Sequence, residues 1–214
     1  MKLYQGWNSS ASWRVRWALA LKDVAYESVW LDIAAGEHRE ALAHVNPLLT
    51  VPTLVFDEGD SLGESVAIVE WLEESYPKRR LLPANPKQRA LVRELVQLVN
   101  ADTHPLQNTL VRKSISEDER EQNQWSARWI ERGLGAYEAH LALSGSRFSV
   151  GDTLSMADLF LVPQVVNARR FGADISGYKR VLDVFDRCME TPEAVATHPE
   201  QAIREARFAR GHAR

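Results

Sequence analysis

The sequence predicts a chain in two parts, a small α/β domain of order βαβαββα followed by an all-helical domain. Three observations predict it. Short runs rich in β-branched and aromatic residues alternate with helical periodicity up to about Pro77; the proline-punctuated stretch "PKRRLLPANPK" follows; and no convincing strand appears beyond it. The two domains are expected at 1–80 and 88–214.

"KLYQ" reads as the first strand, Ser12 to Lys22 as the first helix, and "YESVWLD" (Tyr26 to Asp32) as the second strand. The polar, helix-prone "GEHREALAHV" stops at Asn46-Pro47. Thr53 to Phe56 is a short strand, "DEGD" a hairpin turn, and Ser61-Leu62 the start of its partner. Glu64 to Tyr76 then carries Val66, Ile68, Val69, Trp71 and Leu72 on one helical face and ends at Pro77. Two parallel strands plus a hairpin make a small mixed sheet covered by helices on both sides.

Beyond the linker, Gln88 to Val111 reads as one helix, with Leu91, Leu95, Leu98 and Val99 at helical spacing. Glu119 to Leu143 reads as another, through Trp125, Trp129, Leu134 and Tyr137. In "GDTLSMADLFLVPQV", Ser155 followed three residues later by Asp158 is a capping-box start to a buried helix, a structural signal rather than a chemical one.

The totals narrow the function classes. With 45% apolar and 26% charged residues the chain has the make-up of a globular protein, and a net charge of -3 gives no reason to expect nucleic acid or an anionic membrane as partner. The basic "REARFARGHAR" reads as a solvated tail. Cys188 is the one cysteine, so no intramolecular disulfide can form, and the histidines lack a clustered ligand spacing, so no metal is expected. "MKLYQGWNSS" lacks the apolar core of a signal peptide and no run approaches the length of a membrane span, which predicts a cytoplasmic protein.

The stretch "GWNSSASWRVRWALALK" carries the functional question. Ser9 and Ser10 fall where the first strand turns into the first helix, at the carboxyl edge of the sheet. Unpaired N–H groups and the helix dipole favour an anion there; both hydroxyls equally suit plain N-caps. Two other segments point the same way. Val51-Pro52 precedes a strand, where a cis X-Pro bond would expose backbone groups. Glu64-Ser65 opens a helix and adds a carboxylate able to pair with an ammonium. A hydroxyl pair, an edge of free backbone and a helix start suited to a zwitterion describe a site for a small extended peptide bearing a thiol.

With Val51-Pro52, Glu64-Ser65 and "GDTLSMADLFLVPQ" in this order, the chain resembles the soluble glutathione transferases over essentially its whole length. These have a thioredoxin-like N-terminal domain and an all-α C-terminal domain. "SSASWRVRWALALK" resembles the "SSCSWRVR" signature of the zeta class, whose members include maleylacetoacetate isomerase; "NPLLTVPTL", "LLPANPKQRALVR", "HPLQN" and "LVPQVVNARRF" are similar to that class as well.

The resemblance implies glutathione as cofactor. Ser9 or Ser10 would donate to its sulfur as the catalytic hydroxyl, Val51 ahead of cis-Pro52 would pair with the cysteinyl backbone, and Glu64 and Ser65 would hold the γ-glutamyl end. His38, His104, Gln107 and Asn108 are further cofactor-binding candidates, each equally readable as a packing or surface residue. The hydroxyl's purpose is a thiolate. A thiol of pKa near 8.5 is about 3% ionised at pH 7, and lowering it by two units, about 2.7 kcal/mol, ionises about 75%.

The implied reaction is cis–trans isomerisation of an unsaturated keto diacid, with glutathione added, then released unconsumed. Arg170, in "NARRF", matches the arginine that holds a substrate carboxylate in the class, while Arg14 and Arg16 are weaker candidates for such an anchor, and Arg16 could instead pair with an acid across the domain boundary. A homodimer is implied too. The chain departs from the class pattern at two substrate-side positions: Ala11 replaces the signature's cysteine, and Asn8 stands where related isomerases often carry arginine. Leu110 offers no cation either. Maleylpyruvate is the nearest alternative substrate, an option the missing cation at Leu110 slightly weakens, with general glutathione transfer, or non-enzymatic binding of glutathione or apolar ligands, as other readings.

Overall fold

The computed structural model describes residues 1–211. The chain forms two compact units. The first runs from Met1 to Arg79 and takes back the segment from Thr191 onward; the second is Arg80–Glu190. The expected helical domain ran through to 214, whereas by contact its last segment groups with the sheet-bearing unit.

In the first unit the order is β1 (Lys2–Gln5), α1 (Ser10–Lys22), β2 (Glu27–Trp30), α2 (Glu37–Ala41), β3 (Thr53–Val55), β4 (Ser61–Gly63) and α3 (Ser65–Ser75). The sheet is ordered β2-β1-β3-β4, with β1 parallel to β2 and antiparallel to β3, and β3 antiparallel to β4. This is the mixed four-stranded sheet expected from the alternation. α1 begins two residues earlier than its apolar period suggests because Ser9 is its N-cap, accepting from the Ser12 amide at 3.1 Å.

Helix α1 is buried almost all round, including Trp13, Arg14, Val15, Arg16 and Trp17. Its last turn is tied to α3 by a buried ion pair, Lys22 Nζ to Glu73 Oε2 at 2.5 Å, with Nζ also donating to the Tyr76 carbonyl at 2.9 Å. The segment from Thr191 forms α9 (Pro192–Ala196) and α10 (Pro199–Gly211) and packs on α1. Trp13 Nε1 donates to Thr197 Oγ1 at 3.0 Å, and the His198 ring meets Trp13 edge-on. Arg16 donates to Gln5 Oε1 at 3.2 Å and to the Thr197 carbonyl at 3.3 Å. No acid lies within ion-pair distance of Arg16 among the described residues, which corrects the expectation of a partner acid; carbonyl and amide oxygens serve instead.

The second unit contains α4 (Pro86–Asn100), a 3₁₀ turn (His104–Gln107), α5 (Thr109–Ile115), α6 (Glu119–Ser144), α7 (Met156–Phe171) and α8 (Lys179–Met189). The single helix expected over Gln88–Val111 is therefore three elements. Pro105 has no N–H to give and disfavours helical backbone at His104, so the chain turns there. The capping box is present at the start of α7. Asp158 accepts from the Ser155 amide at 2.7 Å, the Ser155 hydroxyl at 2.9 Å and the Ser149 amide at 2.8 Å. Burial pushes the Asp158 carboxyl above the usual range even though these donors pull it down. No helix among the described residues is long and apolar enough to cross a membrane.

Candidate active site

Strand register brings three separate segments to one end of the sheet. Tyr4 pairs with Thr53, and Thr53 with Gly63, so the end of β1, the start of β3 and the end of β4 lie together. Ser9, Val51 and Glu64 each follow or precede those positions by a few residues. Sequence separation of more than 50 residues is thus closed by antiparallel pairing alone.

At β1's end, Ser9 is half-buried with extended backbone, and its oxygen accepts the Ser12 amide. A hydroxyl has two lone pairs and one hydrogen, so the cap leaves the O–H available to donate. The cap and the catalytic readings of Ser9 are therefore compatible. Ser10 is the first helical residue, buried, and has a polar partner of its own. Asn8 is exposed and Ala11 half-buried beside the serines.

At β3's start the Val51–Pro52 bond is cis. Val51 makes no backbone hydrogen bond among the described residues, although Thr53, two residues on, is in the ladder. The approach to this bond is held by Asn46, which sequence reasoning missed. Its Nδ2 donates to the Thr50 carbonyl at 3.1 Å and Thr53 Oγ1 at 2.8 Å, and its Oδ1 accepts from Leu48 N at 3.0 Å. Asn before Pro47 reads locally as a turn signal, which hides this role.

At β4's end, Glu64 sits at φ 62, a left-handed conformation that side chains with a Cβ rarely adopt, while its carboxylate stays exposed. Ser65 opens α3 and is buried. No side chain caps this helix, so its first N–H groups remain open to an anion. Arg14 supports the turn from below: its Nη1 donates to Ser65 Oγ at 3.1 Å. Burial lowers Arg14 to about 9, partly offset by the nearby Glu64 charge. Arg14 and Arg16, weaker candidates as substrate anchors, are both buried and engaged within this unit. His38 lies half-buried in α2, its pKa lowered by burial and then by Arg39.

The remaining candidates belong to the second unit. His104 and Gln107 bound the 3₁₀ turn and Asn108 caps α5 without a side-chain bond. Gln107 is buried and spends its amide on Gln164, donating Nε2 to Oε1 at 2.6 Å. Arg170 is exposed near the end of α7, its guanidinium 5.4 Å from the Phe171 ring centre. A second cation, Arg112 of α5, stands 4.6 Å from the same ring. Reading α4 and α5 as one helix concealed it; the basic "VRKS" after the proline turn was the available signal.

The first unit thus offers a helix-capping serine hydroxyl, free strand-edge backbone and an uncapped helix start around one end of a four-stranded sheet. Residues 3–80 match the family model for the glutathione S-transferase N-terminal domain, and residues 118–187 that for the C-terminal domain. The chain belongs to the glutathione S-transferase family. Within it, the likeness is to the zeta class. A maleylpyruvate isomerase of Ralstonia sp is 42% identical, the match covering 94% of this chain and all of that protein; a probable maleylacetoacetate isomerase 1 of Drosophila melanogaster is 42% identical over 92% of this chain and 80% of its own. Among solved structures, a holo maleyl pyruvate isomerase described as a bacterial zeta-class glutathione S-transferase superposes with a TM-score of 0.89 at 41% identity, covering 94% of this chain and 98% of that one. The maleylacetoacetate isomerase of Anaeromyxobacter dehalogenans with bound GSH gives 0.85 at 41%, covering 94% and 95%.

Proposed function

We propose that the chain is a glutathione-dependent cis–trans isomerase of maleyl keto acids, acting on maleylacetoacetate, with maleylpyruvate as the alternative substrate. The observation that carries the reading is Ser9: its cap consumes a lone pair and leaves the hydroxyl hydrogen for a sulfur at the positive end of α1. Relatives about 40% identical that bear these isomerase names support the substrate class.

The residues fit glutathione. Val51's free backbone suits a peptide laid antiparallel along the sheet edge, and the open N–H groups of α3 suit a carboxylate beside the Glu64 counter-charge for an ammonium. When bound, glutathione supplies the thiolate that adds reversibly to the activated alkene, so that the former double bond can turn. Ser9 stabilises the negative sulfur by donation, Ser10 stands next to it, and Arg14 keeps Ser65 in place. In the second unit Arg170, near the end of α7, takes a substrate carboxylate, while His104 and Asn108 stand at the two ends of the 3₁₀ turn. We further read the protein as a cytoplasmic homodimer.

Asn8 and Ala11 favour a second reading, in which the same thiolate conjugates other electrophiles. Isomerisation of maleylacetone with and without glutathione tests the two. Acceleration that needs glutathione and leaves it unconsumed is expected. Conjugate formation without isomer exchange would replace the proposal with the transferase reading.

A further inference from the structure

Arg112 and Arg170 converge on one aromatic ring in the second unit. Their guanidinium carbons lie 4.6 and 5.4 Å from the Phe171 centroid, hence no more than about 10 Å apart. Neither has an acid within ion-pair distance among the described residues. Among the described residues the Arg112 side chain makes one hydrogen bond, Nη2 to Asn123 Oδ1 at 2.6 Å, and its Nε is buried with no acceptor. Of five guanidinium N–H donors, most of those on Arg112 are thus uncommitted. Burial and the charge of Arg170 both work against its cationic form, and only the more distant Glu119 favours it.

Two like charges held near each other, one partly desolvated and with a buried donor left open, are stabilised by an anion between them. We infer that Arg112 and Arg170 form a two-guanidinium clamp for one carboxylate of the substrate, with Phe171 as its floor. The inference rests on the isomerase reading for the identity of that substrate. It also answers a gap at the two positions where a cation is missing, Asn8 and Leu110: α5 supplies its cation two residues later, at Arg112. Contact of both guanidinium groups with the Phe171 ring restrains where they sit, which limits the rotamer freedom lost on binding. Asn123 orients Arg112 from α6.

Calorimetric titration of malonate into the glutathione-saturated protein reads the clamp without catalysis. Arg112→Gln and Arg170→Gln are each expected to weaken malonate about tenfold or more, the size of losing one charge-assisted hydrogen bond to a carboxylate. Arg112→Lys keeps the charge but not the fork, and is expected to fall between wild type and Arg112→Gln. In steady state, Arg112→Gln raises KM for the keto acid and leaves KM for glutathione within about twofold. Malonate affinity unchanged in Arg112→Gln, with a native melting curve, overturns the clamp. So does equal weakening of malonate and glutathione, which reports damage to the fold. Malonate binding that needs both arginines in a protein without isomerase activity supports the clamp and rejects the substrate; turnover with malonate indifferent to Arg112 rejects the clamp alone.

Discussion

Replacing Ser9 by alanine removes two things at once, and the geometry separates them. The Ser9 oxygen caps α1 through the Ser12 amide at 3.1 Å, so its loss should cost about 1 kcal/mol of stability. In the proposed function the hydroxyl hydrogen is a donor to the sulfur of bound glutathione, and a hydrogen bond to a charged group is worth about 1.5–3 kcal/mol. At 1.36 kcal/mol per unit, that raises the bound thiol by about 1–2 pKa units. From a starting value near 6.5, the thiolate fraction at pH 7 falls about threefold to twenty-fivefold, and turnover should fall with it. Ser9→Asp keeps the cap, because aspartate is as good an N-cap, but places an acceptor and a negative charge beside the sulfur. It should restore the melting temperature and raise the thiol pKa further. The assay is thiolate absorbance of the glutathione complex against pH, run beside thermal unfolding. An unchanged thiol pKa in Ser9→Ala would refute the donor role, and a raised one in Ser10→Ala alone would transfer it to Ser10.

Arg14→Met should raise KM for glutathione about tenfold while changing KM for the keto acid less than twofold, since Arg14 holds Ser65 at the proposed γ-glutamyl site; steady-state kinetics with each substrate varied checks this, and parallel changes would contradict it. Asp158→Ala should destabilise the protein by about 3–5 kcal/mol, because two backbone amides and the Ser155 hydroxyl lose their common buried acceptor; a urea midpoint shift worth less than about 1 kcal/mol would contradict that. His198 is held below 6.5 by burial against Trp13, with the Arg16 charge adding to it. A lowered folded pKa means that the unfolded chain takes up the proton first, so stability should fall as pH drops from above 6.5 through the depressed value. Denaturation midpoints at pH 8 and 5.5 should show this slope, and His198→Gln should reduce it.

The first unit was largely legible because its signals are local. Alternating strand and helix periods, Pro52, and Ser9 at the strand-to-helix turn each fall within a few residues, and the observed elements agree with their reading to within two residues except α2, which ends at Ala41, four residues before the end of "GEHREALAHV". Glu64 was legible as a helix start, but its positive φ was not. Arg14 and Arg16 misled, since arginine in a helix normally reads as an exposed face. Here α1 is covered on every side, by α3 and by the returning C-terminal segment, and each guanidinium finds oxygens that lie more than 50 or 180 residues away. Arg112 was lost because the helix read through Pro105 stopped at Val111, one residue before it, whereas the chain turns at the proline and starts α5 at Thr109.

By itself the sequence determined the order of the first unit's elements up to α3, the family, the hydroxyl pair at the first turn and the Ser155–Asp158 cap. All of these are encoded in side chains and backbone preferences acting over about one helical turn or one strand. The tertiary structure alone decided that Ser9 keeps a hydrogen to give, that the last helices return to the first unit, and that Arg112 and Arg170 meet over Phe171. Those outcomes depend on which distant groups occupy each donor and acceptor, and packing, rather than chain neighbourhood, assigns those partners.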